Sequence, residues 1–329
     1  MTILAIETSC DETSAAVVEG KTVLSNVVAS QIEMHRKWGG VVPEAAARAH
    51  VEAILPTIEE AFERAKVDRA DGVAVTNRPG LTGALSVGVT AAKALSVAWN
   101  VPLLGIHHLE GHLSAILAVE PAPLFPFVAL IVSGGHTELV EVAQWGSYRI
   151  LGETRDDAAG EAFDKSARLM GLGYPGGRAI QEAARSGDPR RYPLPKGLKG
   201  ETLDFSFSGL KTAVLRLVEK EGDALSVPDA AASLQRAVVS VLAERASLAA
   251  ERGGYRMLAL VGGVAANEAL RAALSSECER LGIRFVTPPF ELCTDNAAMI
   301  GLAAAWRFAR GDRDGLSLEA TANGELSEA

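Results

Sequence analysis

Two stretches of this 329-residue chain share one pattern, and that repetition limits the possible fold more than any other feature. Residues 2–6, Thr-Ile-Leu-Ala-Ile, form a short apolar run. The polar stretch Glu7–Thr13 follows, and a second apolar run, Ala15-Ala16-Val17-Val18, closes the unit. The same order returns at Phe127–Val132, Ser133-Gly134-Gly135-His136-Thr137 and Leu139–Val142. Strand, tight polar turn and returning strand is the economical reading of each. Two such hairpins, each opening about half of the chain, predict a duplicated two-lobe architecture. The length agrees, because single cores stop growing beyond roughly 250–300 residues.

The intervening patterns alternate helix and strand, which predicts a mixed, largely parallel sheet in an α/β fold. Helical spacing covers Glu44–Ala65, with a kink expected at Pro56, and Leu81–Val97. Buried strands are read at Gly72–Val75 and Pro102–Ile106. In the second half, helices are expected at Asp157–Met170, Asp229–Glu251, about Ala266–Leu274 and Asn296–Arg310, with a strand at Met257–Val261. The proline-rich run Pro121–Pro126 marks a boundary. The expected division is residues 1–123, residues 124–314, and a polar, fraying tail at 315–329. The last helix, about 296–310, is allowed to pack back on the first lobe.

Composition removes several classes. Hydrophobic residues make up 48% and charged residues 22%, so the chain can bury a sizeable core. No apolar run reaches the ~18–20 residues of a membrane span, and the N-terminus lacks the cationic region of a signal peptide. Three cysteines without metal-type spacing indicate neither a disulfide framework nor a cysteine zinc site. A cytoplasmic protein is expected. The net charge of −9 disfavours non-specific nucleic-acid binding. Arg185, Arg190, Arg191, Lys196 and Lys199, against Asp188, form one local basic loop, read as either a solvated linker or a phosphate contact. Gly171-Leu-Gly-Tyr-Pro-Gly176 matches the dinucleotide pattern GxGxxG in form. It follows a helix rather than a strand and contains Pro175, so it is rejected.

The sharpest chemical signal is His107-His-Leu-Glu-Gly-His112, which holds three of the six histidines. His108 and His112 are four apart and share a helix face, within reach of one ion. The alternative is two solvated histidines at a helix start. Glu110 lies about 200° round the helix from His108, so the general base of an HExxH protease is missing. Asp295 is the candidate third ligand, and its competing role is helix N-cap. Two histidines and a carboxylate suit a divalent ion acting as Lewis acid. Ser133-Gly134-Gly135, Glu7–Thr13 and Gly262-Gly263-Val-Ala-Ala-Asn267 are turns whose backbone N–H groups could meet an anion. Asn267 offers both a donor and an acceptor.

At this point the chain resembles, from about residue 2 to about 310, the TsaD (Gcp) family of tRNA threonylcarbamoyltransferases. The blocks that carry the resemblance are Ile6–Thr13, Gly39–Glu44, His107–His112, Val132–Thr137, Asp156–Lys165, Tyr174–Gly177, Asp204–Lys211, Gly262–Asn267 and Cys293–Asn296. The resemblance implies a two-lobed actin/Hsp70-like ATPase (ASKHA) fold, with duplicated mixed sheets around a central cleft. It implies one divalent metal per subunit, Fe2+ with Zn2+ as the alternative, on His108, His112 and Asp295. It places threonylcarbamoyl-adenylate against Ile131, Val132, Ser133, Gly134, Gly135, Asp164, Gly177 and Asn267. Gln181 is added where many members carry an acid. The implied product is N6-threonylcarbamoyladenosine next to the anticodon of tRNA. The implied partners are tRNA, TsaB-like and TsaE-like accessory proteins, and a TsaC-like enzyme that makes the adenylate, with no membrane. No catalytic base is assigned, although Asp11 and Glu12 are candidates. Two residues depart from the family pattern: Arg78 where glycine is usual, and Arg178 where proline is usual. The competing readings are a metal-dependent sialoglycoprotein endopeptidase, a kinase or ATPase of the same superfold, and a non-catalytic nucleotide-binding scaffold.

Overall fold

The computed structural model describes residues 1–328. Its chain divides into two compact units, residues 1–122 with 295–329, and residues 123–294. In the first unit, β1 (Thr2–Glu7), β2 (Glu12–Glu19) and β3 (Thr22–Ser30) form an antiparallel meander. The short helix α1 (Ile32–Arg36) and the long α2 (Pro43–Ala65) follow. Then come β4 (Gly72–Arg78), α3 (Thr82–Trp99), β5 (Leu103–His107) and α4 (His108–Ser114). β4 pairs parallel with β1, and β5 parallel with β4, giving the order β3-β2-β1-β4-β5. α2 is a single helix through Pro56.

The second unit repeats this plan. β6 (Phe127–Val132), β7 (Thr137–Gln144) and β8 (Ser147–Glu153) form the meander. Helices α5 (Ala159–Leu169), α6 (Gly176–Ala184), α7 (Ser208–Glu221) and α8 (Val227–Gly253) precede β9 (Met257–Val261), α9 (Glu268–Leu281) and β10 (Arg284–Val286). The order β10-β9-β6-β7-β8 is the first unit's order read from the other edge, with the same parallel and antiparallel partners. The two hairpins met in the sequence are thus the equivalent pairs β1–β2 and β6–β7. Central strands β1, β4, β6 and β9 are almost wholly buried, as strands with covered faces must be.

From Asp295 onward the chain belongs to the first unit, so the second unit ends at Thr294 rather than near 314. The last helix, α10 (Ala297–Arg310), packs on α4, β1 and β2. The first orphan N–H groups of α10 are met by Ser14 Oγ (2.8 Å from Ala297 N), Asn26 Oδ1 (3.2 Å from Ala298 N) and the capping Asn296 Oδ1 (3.1 Å from Met299 N). The polar tail does not fray as expected. Leu318 and Ala320 pack on the first unit's core, and Leu326 is 1% exposed, which is enough burial to hold the segment down. Among the described residues, no helix is long and apolar enough to cross a membrane.

Candidate metal centre and glycine-rich turns

α4 starts where β5 ends, so His108 and His112 project from a two-turn helix fixed to the sheet. That helix lies hard against α10, since a Cβ on Gly111 would sit 2.6 Å from Ile300 Cδ1. This approach brings Asp295, one residue ahead of the cap of α10, to the two imidazoles. Because Asn296 does the capping, Asp295 is not needed as an N-cap. Its Oδ1 is 3.5 Å from His108 Nε2 and 3.2 Å from His112 Nε2. One ligand atom from each of the three residues lies within 4.8 Å of the others. The imidazoles meet edge to face with centroids 4.7 Å apart.

Glu7, at the end of β1, is the partner that the sequence reading missed. Its Oε2 is 2.9 Å from His108 Nδ1, and Thr76 Oγ1 donates to the same oxygen at 2.6 Å. Ser9 N–H donates to Glu7 Oε1, and Ser9 Oγ is 3.2 Å from His108 Nδ1. In the neutral form of the ring, a proton on Nδ1 directed at Glu7 would leave Nε2 bare toward Asp295, the arrangement by which a carboxylate orients a metal-binding histidine. The available signal was an acid closing an otherwise apolar strand, which is costly unless paired.

Charge follows from this geometry. Burial pulls His108 down, but the Asp295 and Glu7 carboxylates outweigh it and raise it to about 10. Burial pushes Glu7 up, yet the charge and hydrogen bond of His108 hold it below the ordinary carboxylate range. Burial also pushes Asp295 up, but the charge of His108 and the close approach of both imidazoles hold it well below that range. His112 is lowered by burial and by the neighbouring His108 cation, despite its approach to Asp295. Neither ring nitrogen of the fully buried His112 makes a hydrogen bond, and Nε2 is the one that faces Asp295. An orphaned buried nitrogen beside a carboxylate and a second imidazole fits a divalent ion. Glu110 points elsewhere: its Oε2 is 3.0 Å from Arg307 Nη1. Of the two candidate bases, Glu12 is pushed to about 9 by burial and by the adjoining Asp11 carboxylate, so it is protonated at neutral pH.

The second unit assembles the remaining candidates at the carboxyl ends of the parallel pair β6 and β9, where open α/β sheets take their ligands. Ile131 pairs with Val261, so the turns after both strands leave side by side. Gly262 (φ +93°) passes close under β6; a Cβ there would lie 2.4 Å from Val132 O. Ile131 and Val132 are fully buried within the sheet. Ser133 closes its own turn: its N–H donates to His136 O (2.8 Å) and its Oγ accepts from His136 N (3.1 Å). Gly134 and Gly135 are exposed. Ser133 O accepts from Gly160 N at the start of α5 (3.2 Å). Asp164 Oδ1 accepts from Gly176 N (2.7 Å), linking α5 to the first turn of α6 and to Gly177. Gln181 Oε1 accepts from Glu268 N (2.8 Å), linking α6 to the start of α9. Asn267 caps α9 through Leu270 N (3.0 Å) and donates to Gln235 Oε1 (3.0 Å). Each end of its amide thus has one partner in the fold, with a second N–H and a second lone pair still to offer. The start of α6 and the exposed backbone of Gly134–Gly135 make this an environment for an anion, while the first turn of α9 is capped by Gln181 and Asn267. The departing Arg178 is exposed and pairs with Glu182 along α6 (3.3 Å).

The fold is shared with proteins of distant sequence. The activator of the 2-hydroxyisocaproyl-CoA dehydratase from Clostridium difficile, solved with bound ADPNP, superposes with a TM-score of 0.55 at 12% identity, covering 96% of this chain and 99% of that one. The chain thus has the two-lobed α/β fold of the actin-like (ASKHA) type, built on two five-stranded mixed sheets. Sequence is more specific. The family described as "TsaD: tRNA N6-adenosine threonylcarbamoyltransferase" matches residues 22–302. A relative of that name from Symbiobacterium thermophilum is 55% identical, over 97% of this chain and 95% of its own. Another from Anaeromyxobacter dehalogenans (strain 2CP-1 / ATCC BAA-258) is 54% identical, over 97% of both. The chain belongs to the TsaD family.

Proposed function

We propose that this chain transfers the threonylcarbamoyl group of threonylcarbamoyl-adenylate to N6 of the adenosine next to the anticodon in tRNA. Family membership over nearly the whole length supports the reaction. The observation that carries the metal part is the orphaned, buried His112 Nε2 beside Asp295. Leaving such a group unpaired costs about 1–3 kcal/mol, a cost that an ion on His108, His112 and Asp295 removes. The ion assigned is Fe2+, with Zn2+ as the alternative. When bound it would supply Lewis-acid polarisation of a substrate oxygen.

In this reading the N6 lone pair forms a bond to the carbonyl carbon of the threonylcarbamoyl group. The bond from that carbon to the phosphate oxygen breaks, AMP leaves, and N6 loses one proton. Glu7 holds the proton on His108 Nδ1 and so fixes the ring. Backbone N–H groups of Gly134 and Gly135, with the start of α6, bind the adenylate's anionic part. Holding both reactants in line is the main contribution, because an exocyclic amine is a weak nucleophile. With a net charge of −9 the chain as a whole repels the tRNA backbone, so TsaB-like and TsaE-like partners are assigned to the working complex. A TsaC-like enzyme is assigned to supply the adenylate, and the cytoplasm is the expected compartment.

The test is incorporation of labelled threonine into tRNA by purified components. Label should appear with chain, partners and adenylate-forming enzyme together. Full incorporation without the TsaB- and TsaE-like proteins overturns the partner requirement, and none with the complete set overturns the transferase reading.

A further inference from the structure

Residues 312–328 lie as a strap along the elements of the first unit that lead into α4. Asp314 anchors it: its N–H donates to Leu103 O (2.8 Å) and its Oδ2 accepts from Gly105 N (2.8 Å). Asn77 Nδ2 donates to Glu319 O (3.1 Å), Thr321 N–H donates to Asn77 O (2.9 Å), and Gly80 N–H donates to Ala322 O (3.2 Å). Leu326, at the far end, is buried. Between these anchors, Gly324 O lies 3.1 Å from His107 Nε2.

A carbonyl oxygen can only accept, so His107 Nε2 carries a proton, and in the neutral ring Nδ1 is bare. Bare Nδ1 accepts from Leu109 N (3.2 Å) and is the N-cap of α4. Histidine is not a favoured capping residue, and it can cap here only in the tautomer that the strap selects. α4 has seven residues, so its first turn sets the positions of both His108 and His112.

We propose that the C-terminal strap is a positioning element for the metal centre, acting through His107, with Gly324 as the contact. The proposal rests on the reading of His108, His112 and Asp295 as ligands. The departure at Arg78 fits it. Arg78 pairs with His107 across β4 and β5, and a Cβ on Gly324 would lie 2.7 Å from Arg78 Cδ. The arginine stem therefore lies under the strap, and its packing there is a strap contact.

The test compares Leu326→Asp, which unseats the strap's end, with His107→Asn, which keeps a capping oxygen but is too short to reach Gly324. Full-length proteins are titrated with Zn2+ or Fe2+ against a competing chelator, and amide hydrogen exchange is followed in metal-free protein. Leu326→Asp should speed exchange in α4 and weaken metal binding by about tenfold, the scale of lost outer-shell support. In the His107→Asn background the same change should add little, because the cap no longer depends on the tautomer. Wild-type exchange and affinity in Leu326→Asp overturn the proposal, as does an equal loss in both backgrounds. Should Leu326→Asp not fold, His107→Asn alone decides: exchange at residues 321–326 must rise, and no change there overturns the link. If wild-type protein takes up no metal, the ligand reading fails, and exchange in α4 still reports on the strap.

Discussion

Replacing Glu110 separates two accounts of the histidine helix. In a peptidase Glu110 would be the base, and its loss would remove activity while leaving stability alone. In this structure it is fully buried and bound to Arg307 Nη1 at 3.0 Å, while Arg307 Nε is 3.0 Å from Asp312 Oδ2. Removing one partner of a buried pair costs about 3–5 kcal/mol when the other is stranded. Arg307 keeps Asp312 and has 18% of its side chain exposed, so a smaller loss than that, roughly 2–3 kcal/mol, is expected for Glu110→Ala. For a unit of this size that lowers Tm by roughly 5–10 °C. Glu110→Gln keeps the shape and an acceptor, so it should lose about half as much and retain wild-type metal stoichiometry. Differential scanning calorimetry and elemental analysis on the three proteins read both quantities. An unchanged Tm together with abolished activity would refute the structural role.

Burial, then the facing Glu153, raise Glu138 from the ordinary 4.5 to about 7. A raised carboxyl stabilises fully below pH 4.5 and loses that contribution as pH climbs through 7. Glu138→Gln should therefore raise Tm by a few degrees, about 2–5 °C, at pH 8 and little at pH 4.5, read by melts at both values. His112→Ala should abolish stoichiometric metal in elemental analysis, and equal metal in both proteins would remove the site. Arg190 and Arg191 are exposed on the basic loop, whereas Arg185 and Lys196 are paired with Glu268 and Glu244. Changing both exposed arginines to Glu should weaken tRNA binding by the reconstituted complex and flatten its salt dependence in a filter-binding titration.

The paired hairpins could be read because buried strands are apolar and their turns polar, a contrast visible without coordinates. The third strand of each meander could not. β3 and β8 lie at sheet edges, alternate buried with exposed positions irregularly, and carry Ser25, Asn26 and Arg149 among their residues. The i,i+4 pair His108 and His112 is local and therefore legible. Asp295 reaches them only because α10 returns to the first unit, a contact across almost 190 residues that no local pattern encodes. Glu7 stayed hidden for the same reason, since its partner lies 101 positions away. The tail was misread because its composition is polar, while its hold on the unit comes from backbone hydrogen bonds and from Leu318, Ala320 and Leu326.

The central claim is the reaction itself, and nucleoside mass spectrometry tests it most directly. Total tRNA from cells depleted of this chain is digested and compared with tRNA from cells complemented with wild type or His112→Ala. The account predicts that N6-threonylcarbamoyladenosine falls on depletion, that wild type restores it, and that His112→Ala does not. Depleted cells that keep the normal level of the nucleoside would contradict the assignment.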